Sequence, residues 1–377
     1  MSEGFNIINK KFHHDVVEGT HYEIGKQQAE LLKNRNPDVV KWFSKNQIDP
    51  KNMGFKDFNE LEALYDEYCP GIIDEFQGFS DGLGIDLHEL SLFGPPIYKQ
   101  GNCSQMAVAP SITKNNHVYV GRSYEFNQVE DDFRLITTRI KGKTKTTGFS
   151  SFTMGRLDGI NNHGFCVSFT GGGTFKTKAK GTGFQFFLIT RSMLDNCKTV
   201  DEAVKFLKKV PVNGFWNFMV TDKHGNAALA QFFEDDFEIK QISEETKEKM
   251  IFSGNHYRLP KMIKYQKFAG DWILKNSTKR CEIIESTLSE AAPDITKETI
   301  RKILSNPLYD GVCGYYYSDY FGTLFSIIFD LTDLKADICF GIPTHNKWLH
   351  FGFDDPIGVK QYDAILPNKS IKTDTLF

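Results

Sequence analysis

Cys103-Ser-Gln-Met-Ala-Val-Ala109, then Lys114-Asn-Asn116, then Val118-Tyr-Val-Gly121-Arg122-Ser-Tyr-Glu125-Phe126 read as two strands joined by a turn. The first run is small and apolar. The asparagine pair carries turn chemistry, and the second run is β-branched and aromatic. A hairpin folded on that turn returns Arg122 and Glu125 to the neighbourhood of Cys103. A guanidinium beside a thiol favours the thiolate, because its charge stabilises the anion. Glu125 can hold Arg122 in a two-pronged ion pair or bind an ammonium group. Spacing alone leaves a second reading open, a buried strand cysteine beside an ordinary ion pair.

Three further hairpin signals lie downstream. Residues 157–160 and 165–170 flank Asn161-Asn-His-Gly164, residues 218–221 and 227–232 flank Asp222-Lys-His-Gly-Asn226, and residues 323–330 and 337–340 flank Thr332-Asp-Leu-Lys335. Helical spacing marks 186–195, 199–209 and much of 260–304. The stretch from Lys141 to Lys180 holds scattered basic residues with Gly and Thr, which reads as solvated loops around the hairpin there. Upstream of residue 102 the texture is helical. Thr20-His-Tyr-Glu23 fits a capping box ahead of Ile24, Gln28, Leu31 and Leu32. Two more helices fit 57–68 and 71–81, on either side of Pro70-Gly71, and a short one fits 87–93 before Gly94-Pro-Pro96. Runs of hairpins with paired helices between them predict an α+β fold, with antiparallel sheets covered by helices.

Composition narrows the classes. Lys+Arg number 45 against Asp+Glu 48, a net charge of −3, so no polybasic face for nucleic acid is expected. No run of 18 apolar residues exists, so no membrane partner is expected. Seven cysteines, at 69, 103, 166, 197, 281, 313 and 339, are odd in number and form no CxxC pair. That pattern argues against a disulfide framework and a zinc ribbon. With no secretory signal visible, the expected compartment is the cytoplasm. His13-His14 with His21 lacks HExxH spacing, and Gly171-Gly-Gly173-Thr lacks the lysine of a phosphate loop. The glycines read as a flexible edge of a site, and no metal or cofactor is expected. Phenylalanine stands out at 33 residues, against 14 Tyr and 4 Trp. Such a chain needs a large packed interior, an apolar ligand pocket, or both.

The run Asn102-Cys103-Ser104…Gly121-Arg122-Ser-Tyr-Glu125-Phe126 resembles the nucleophile hairpin of the cysteine N-terminal nucleophile (Ntn) hydrolases. These include the choloylglycine hydrolases, the penicillin V acylases and the acyl-CoA:6-aminopenicillanate acyltransferase group. Asp158-Gly-Ile-Asn161-Asn-His-Gly164-Phe resembles their second hairpin, and Ser253-Gly-Asn255-His256-Tyr257 resembles their T-N-H-Y segment. Gly322-Thr-Leu-Phe-Ser326 resembles the late T-L-x-S strand, and Asp74 to Gly84 resembles the glycine-rich stretch ahead of the cleavage site.

The resemblance implies a four-layer αββα sandwich, two antiparallel sheets between helix layers. It also implies a helical leader, residues 1–102, packed on a catalytic chain, residues 103–377. Self-cleavage at Asn102–Cys103 would free the α-amine of Cys103. Near neutrality that amine can relay the thiol proton, and the thiolate would then open a linear amide through a thioester. The implied catalytic set is Cys103, Arg122, Glu125 and Asn255, with Asn255 as oxyanion donor. Gly171, Gly172, His256, Phe126 and Ser326 would line the substrate site. Three positions depart from the family pattern. Glycines replace an asparagine near residue 171, which shifts the second oxyanion donor to a backbone N–H. Glu125 stands for an aspartate, and Asn102 stands for a glycine. Phe126, Phe165, Phe169, Phe175, Phe184, Phe186 and Phe187 fall in the segments around the implied site, so the partner is expected to be a small-molecule amide with an acyl or aromatic group. A homo-oligomer is left open. The competing reading is an unprocessed relative that keeps the fold as a binding or scaffold protein.

Overall fold

The computed structural model describes residues 6–36, 38–44, 49–90, 102–128, 133–150, 154–173, 176–177, 183–308, 310–353 and 360–369. The chain opens with a strand, β1 (Asn6–Gly19), before helices α1 (His21–Arg35), α2 (Val39–Ser44), α3 (Phe58–Tyr68) and α4 (Ile72–Leu83). The Thr20 side chain accepts the Glu23 N–H while the Glu23 carboxylate accepts the Thr20 N–H, which closes the expected capping box of α1. β2 (Asn102–Val108) and β3 (Tyr119–Phe126) form the hairpin that carries Cys103. β4 (Arg134–Ile140), β5 (Thr146–Ser150), β6 (Asp158–Asn161) and β7 (Phe165–Gly171) follow as a meander. Next come α5 (Phe186–Asn196), α6 (Val200–Leu207), β8 (Phe215–Asp222), β9 (Ala227–Phe233), β10 (Asp236–Ile242) and β11 (Met250–Ser253). The chain continues through α7 (Asp271–Ala291), α8 (Lys297–Ser305), β12 (Tyr315–Tyr316), β13 (Phe321–Asp330), β14 (Lys335–Phe340), β15 (Trp348–Gly352) and β16 (Lys360–Asn368).

The strands form two sheets. One has nine strands in the order β10-β9-β8-β7-β6-β5-β4-β1-β16; the other runs β11-β2-β3-β13-β14-β15, with β12 on β13. α7 and α8 cover the outer face of the smaller sheet through Cys281, Ile284, Leu288, Ile300 and Ile303. α1, α5 and α6 cover the outer face of the larger sheet, and α4 lies along α1. The layering is therefore the expected αββα sandwich.

Four expectations need correction. The larger sheet is mixed, because β1 pairs parallel with β4 while pairing antiparallel with β16. No short turn joins β1 to either neighbour, so nothing local imposes an antiparallel direction. The leader is not purely helical, since β1 is an internal strand of that sheet. Residues 146–150, read as solvated loop, are strand β5. Of the short helix at 87–93, Leu87–Glu89 form a single 3₁₀ turn and 91–93 lie outside the described residues.

The leader is keyed to the core by charge as well as by β1. Glu75 of α4 and Arg191 of α5 are fully buried and 2.9 Å apart, and Arg191 also pairs with Asp195 at 2.6 Å. Gln28 of α1 donates to Glu75 at 2.8 Å. Burial alone would raise the Glu75 carboxyl, but Arg191 and His21 outweigh it and hold the group at about 2. Among the described residues, no helix is long and apolar enough to cross a membrane.

Candidate active site

Alternation along the nucleophile hairpin decides which side chains meet. Cys103 faces Tyr124 across the strand pair, and both join the core between the sheets. Arg122 points the same way and reaches Asp158 on the opposite sheet, Nε to Oδ2 at 3.6 Å, both side chains fully buried. Ser104, Ser123 and Glu125 point the other way, toward α7. So Glu125 does not pair with Arg122 as the hairpin alone suggested. It accepts from Ser123 Oγ and, at 3.1 Å, from Thr323 Oγ1 on β13.

The backbone nitrogen of Cys103 is the best-held atom of the site. Its N–H donates to Asn255 Oδ1 at 2.7 Å, and Arg280 Nη2 donates to the same oxygen at 2.9 Å. Two donors converging on one atom fix it as the oxygen of the amide. Asn255 Nδ2 faces the Gly171 carbonyl at 3.3 Å. The residue expected as an oxyanion donor therefore acts, in the continuous chain, as the acceptor that holds the Cys103 nitrogen. The Asn255 N–H is itself held by Ser277 Oγ at 2.5 Å, and Ser277 Oγ lies 2.7 Å from His256 Nδ1. Burial pushes His256 down to about 3, so it is neutral at ordinary pH and packs as a support for Ser277.

Sequence reasoning missed Arg280. It lies fully buried on α7, donates to the Cys103 carbonyl, and donates to Ser104 Oγ at 2.9 Å. Its Nε donates to Asn276 Oδ1 at 2.7 Å, one helical turn back. The Asn276/Arg280 spacing on a helix was the one available signal, and it is shared by many solvated helices.

The glycines have a different role from the one expected. The Gly172 N–H donates to the Phe215 carbonyl at 2.9 Å, so it is not a free oxyanion donor. A side chain at Gly172 would sit 2.6 Å from the Tyr257 hydroxyl, and one at Gly173 would sit 2.1 Å from the Asn255 carbonyl oxygen. These glycines let the 254–257 loop lie directly on the end of β7, rather than forming a flexible edge. The same loop is tied to the larger sheet by Asn217 Nδ2, which donates to the Gly254 carbonyl at 3.1 Å. Gln231 holds Asn217 Oδ1 at 2.8 Å.

Phe126 lies in the same layer as Cys103, edge-on to Tyr320 at 5.2 Å and to Phe133 at 6.1 Å. Tyr124, Phe325 and Phe149 stack behind it. Phe169 and Phe186 do not line the site. They pack against each other at 4.6 Å and against Trp216, between the larger sheet and α5. Phe175 is outside the described residues. Ser326 is buried on β13 beside Ser123, on the α7 side of the sheet, and its hydroxyl has no hydrogen-bond partner. Asn102 Nδ2 donates to the Tyr320 carbonyl at 3.1 Å, which fixes the residue ahead of Cys103.

Electrostatics in the continuous chain oppose the thiolate. Burial pushes the Cys103 thiol above its ordinary range, despite the pull of Arg122 and Arg280. Arg122 favours the thiolate as expected, but desolvation outweighs it. Burial likewise raises Glu125 to about 7 and Asp158 to about 6. Carboxyls raised in the folded state add stability at pH below their unfolded values, and that contribution is lost as pH rises through the folded values. These two groups act to lower the thermal midpoint as pH is raised from about 4 to about 7, and Glu125→Gln is expected to remove its part of that slope. An unchanged slope in the variant would show that folding does not shift the Glu125 carboxyl.

The family model described as acyl-coenzyme A:6-aminopenicillanic acid acyl-transferase matches residues 112–345. No curated protein matches the chain. Among solved structures, it is similar to an N-acylethanolamine-hydrolyzing acid amidase ortholog from Caenorhabditis elegans. That pair shows 13% identity and a TM-score of 0.40 over 61% of this chain and 93% of the other. It is also similar to a variant of conjugated bile acid hydrolase from Clostridium perfringens, at 9% identity and a TM-score of 0.47 over 72% and 100%. Penicillin V acylase from Agrobacterium tumefaciens shows 15% identity and a TM-score of 0.41 over 69% and 90%.

Proposed function

Because the chain belongs to the acyl-coenzyme A:6-aminopenicillanic acid acyl-transferase family, we propose that it cuts itself at Asn102–Cys103 and then opens a small linear amide through a thioester on Cys103. The observation that carries this reading is the holding of the Cys103 nitrogen by Asn255 Oδ1, with the thiol side of the residue turned toward Arg122. An ordinary buried strand cysteine needs no side-chain acceptor on its backbone N–H, because a sheet neighbour supplies one.

In the first step the thiol sulfur attacks the Asn102 carbonyl carbon. The C–N bond to Cys103 breaks, and the thiol proton goes to the departing nitrogen. Water then hydrolyses the thioester and leaves residues 1–102 and 103–377 as separate chains. Cys103 now carries an α-amine, which takes the thiol proton during attack on a substrate amide. Asn255 Oδ1 keeps that amine oriented by accepting one of its protons, and Arg280 in turn holds Asn255. The acyl group passes to Cys103 and the substrate amine leaves with the relayed proton. Water or a second amine then resolves the thioester.

The aromatic layer of Tyr124, Phe126 and Phe133 beside the nucleophile favours an acyl or aromatic group on the substrate. The test is incubation with a panel of N-acyl amino acids, penicillin V and conjugated bile acids, followed by acid quench and peptide mass mapping. The expected result is an acyl adduct on the peptide that begins at Cys103. Amide turnover with no adduct there, even under rapid quench, would count against the proposed route.

A further inference from the structure

The motif Asp158-Gly-Ile-Asn161 sits on the other sheet from the nucleophile, and the mechanism above gives Asp158 no part. The geometry points to Asp158 as a positioning residue for Arg122, a carboxylate that reaches across the gap between the sheets and aims the guanidinium at the Cys103 sulfur. This inference rests on the reading of Cys103 as nucleophile.

Three observations carry it. First, Arg122 Nε lies 3.6 Å from Asp158 Oδ2, and neither atom has a hydrogen-bond partner. Both side chains are fully buried, so the two groups face each other at slightly more than bonding distance. Apo geometries of this kind shorten when the site is loaded. Second, Arg122 is pinned from its own sheet through Nη1 alone, while Nη2, like Nε, has no hydrogen-bond partner. Nη1 donates to the Ser123 carbonyl at 2.5 Å and to the Ser104 carbonyl at 3.4 Å. Asp158 is thus the one ion partner that can fix the direction of the Nε edge among the described residues. Third, Asp158 is itself built into place. The ladder between β5 and β6 covers only Thr146–Asn161 and Thr147–Ile160. Where it stops, the Phe149 N–H goes to Asp158 Oδ1 at 3.2 Å. The approach requires two glycines: a side chain at Gly148 would lie 1.9 Å from the Asp158 carbonyl oxygen, and one at Gly159 would lie 2.7 Å from the Thr147 carbonyl oxygen.

A guanidinium left to rotate about its Nη1 bonds spends less time against the sulfur, so the thiolate loses its closest cation. The charged groups around the thiol are Arg122 and Glu125 from β3 and Arg280 from α7, with Asp158 acting from β6 through Arg122.

The experiment measures the pH dependence of iodoacetamide labelling at Cys103, read by peptide mass mapping so that neither turnover nor self-cleavage is needed. Asp158→Asn is expected to raise the labelling midpoint by about one pH unit, a roughly tenfold lower rate at neutral pH. Asp158→Glu is expected to return it toward wild type. Arg122→Lys keeps a charge but has no Nε–H edge, and should shift the midpoint as Asp158→Asn does; combining the two should add little. A wild-type midpoint in folded Asp158→Asn overturns the proposal. So does a shift in the double variant equal to the sum of the two. If Asp158→Asn does not fold, a wild-type midpoint in Arg122→Lys overturns it instead. Failure of the nucleophile reading looks different: Cys103 would label no faster than the buried cysteines in the wild-type protein itself.

Discussion

Cys103→Ala is expected to leave one continuous chain of 43.0 kDa and no amide turnover. In the proposed mechanism the thiol supplies the attacking atom of self-cleavage and of acyl transfer, so both would be lost together. Removing a covalent nucleophile costs on the order of a thousandfold or more in rate, even where binding survives. The fold should be retained, because the cysteine is a small buried side chain and Ala keeps its Cβ. Matched circular dichroism with a silent amide assay is the predicted pair of results. Normal cleavage in this variant would move the cut to another chemistry. Turnover in an uncleaved variant would remove Cys103 from the mechanism.

The second large effect is on stability. Arg191→Ala is expected to destabilise the protein by about 3–5 kcal/mol, because it strands two buried carboxylates, Glu75 and Asp195. The loss should be smaller in the double variant Glu75→Gln/Arg191→Ala, where one stranded charge is gone. Urea unfolding monitored by tryptophan fluorescence checks both. Equal losses in the single and double variants would mean that Glu75 and Arg191 do not depend on one another. The effect bears on the proposed function because Glu75 lies before the proposed cut and Arg191 after it. This pair, together with β1 inside the larger sheet, is what would hold the two pieces in register after a cut at residue 102.

Much of this architecture was legible in the residues. The four hairpins, α1 with its capping box, and α3 to α6 follow from local turn chemistry and helical spacing, which act over a few residues. Several strands were missed, for different reasons. β10 and β16 are edge strands whose exposed positions are mostly Lys, Gln and Asp, so their alternation is muted. β1 pairs only with distant segments, and no local turn announces it.

At the site, Cys103, Arg122, Glu125 and Asn255 were found by motif, but the direction of their side chains was not. Whether Glu125 faces Arg122 or α7 depends on which side of the sheet each residue takes. Whether Asn255 donates or accepts depends on Arg280, which comes from a helix remote in sequence. The phenylalanines show the same limit. Proximity in sequence placed Phe169 and Phe186 at the site, while strand alternation turns Phe169 outward onto Phe186 of α5, with Phe126 left in the layer of Cys103.

The central claim is that Cys103 becomes an N-terminal nucleophile. Intact mass measurement of the purified wild-type chain, with N-terminal sequencing of the larger product, tests it most directly. The account predicts two masses, for residues 1–102 and 103–377, with the larger chain beginning at Cys103 and amide turnover rising as the cut chain accumulates. A single full-length chain that turns over amides with Cys103 still internal would contradict it.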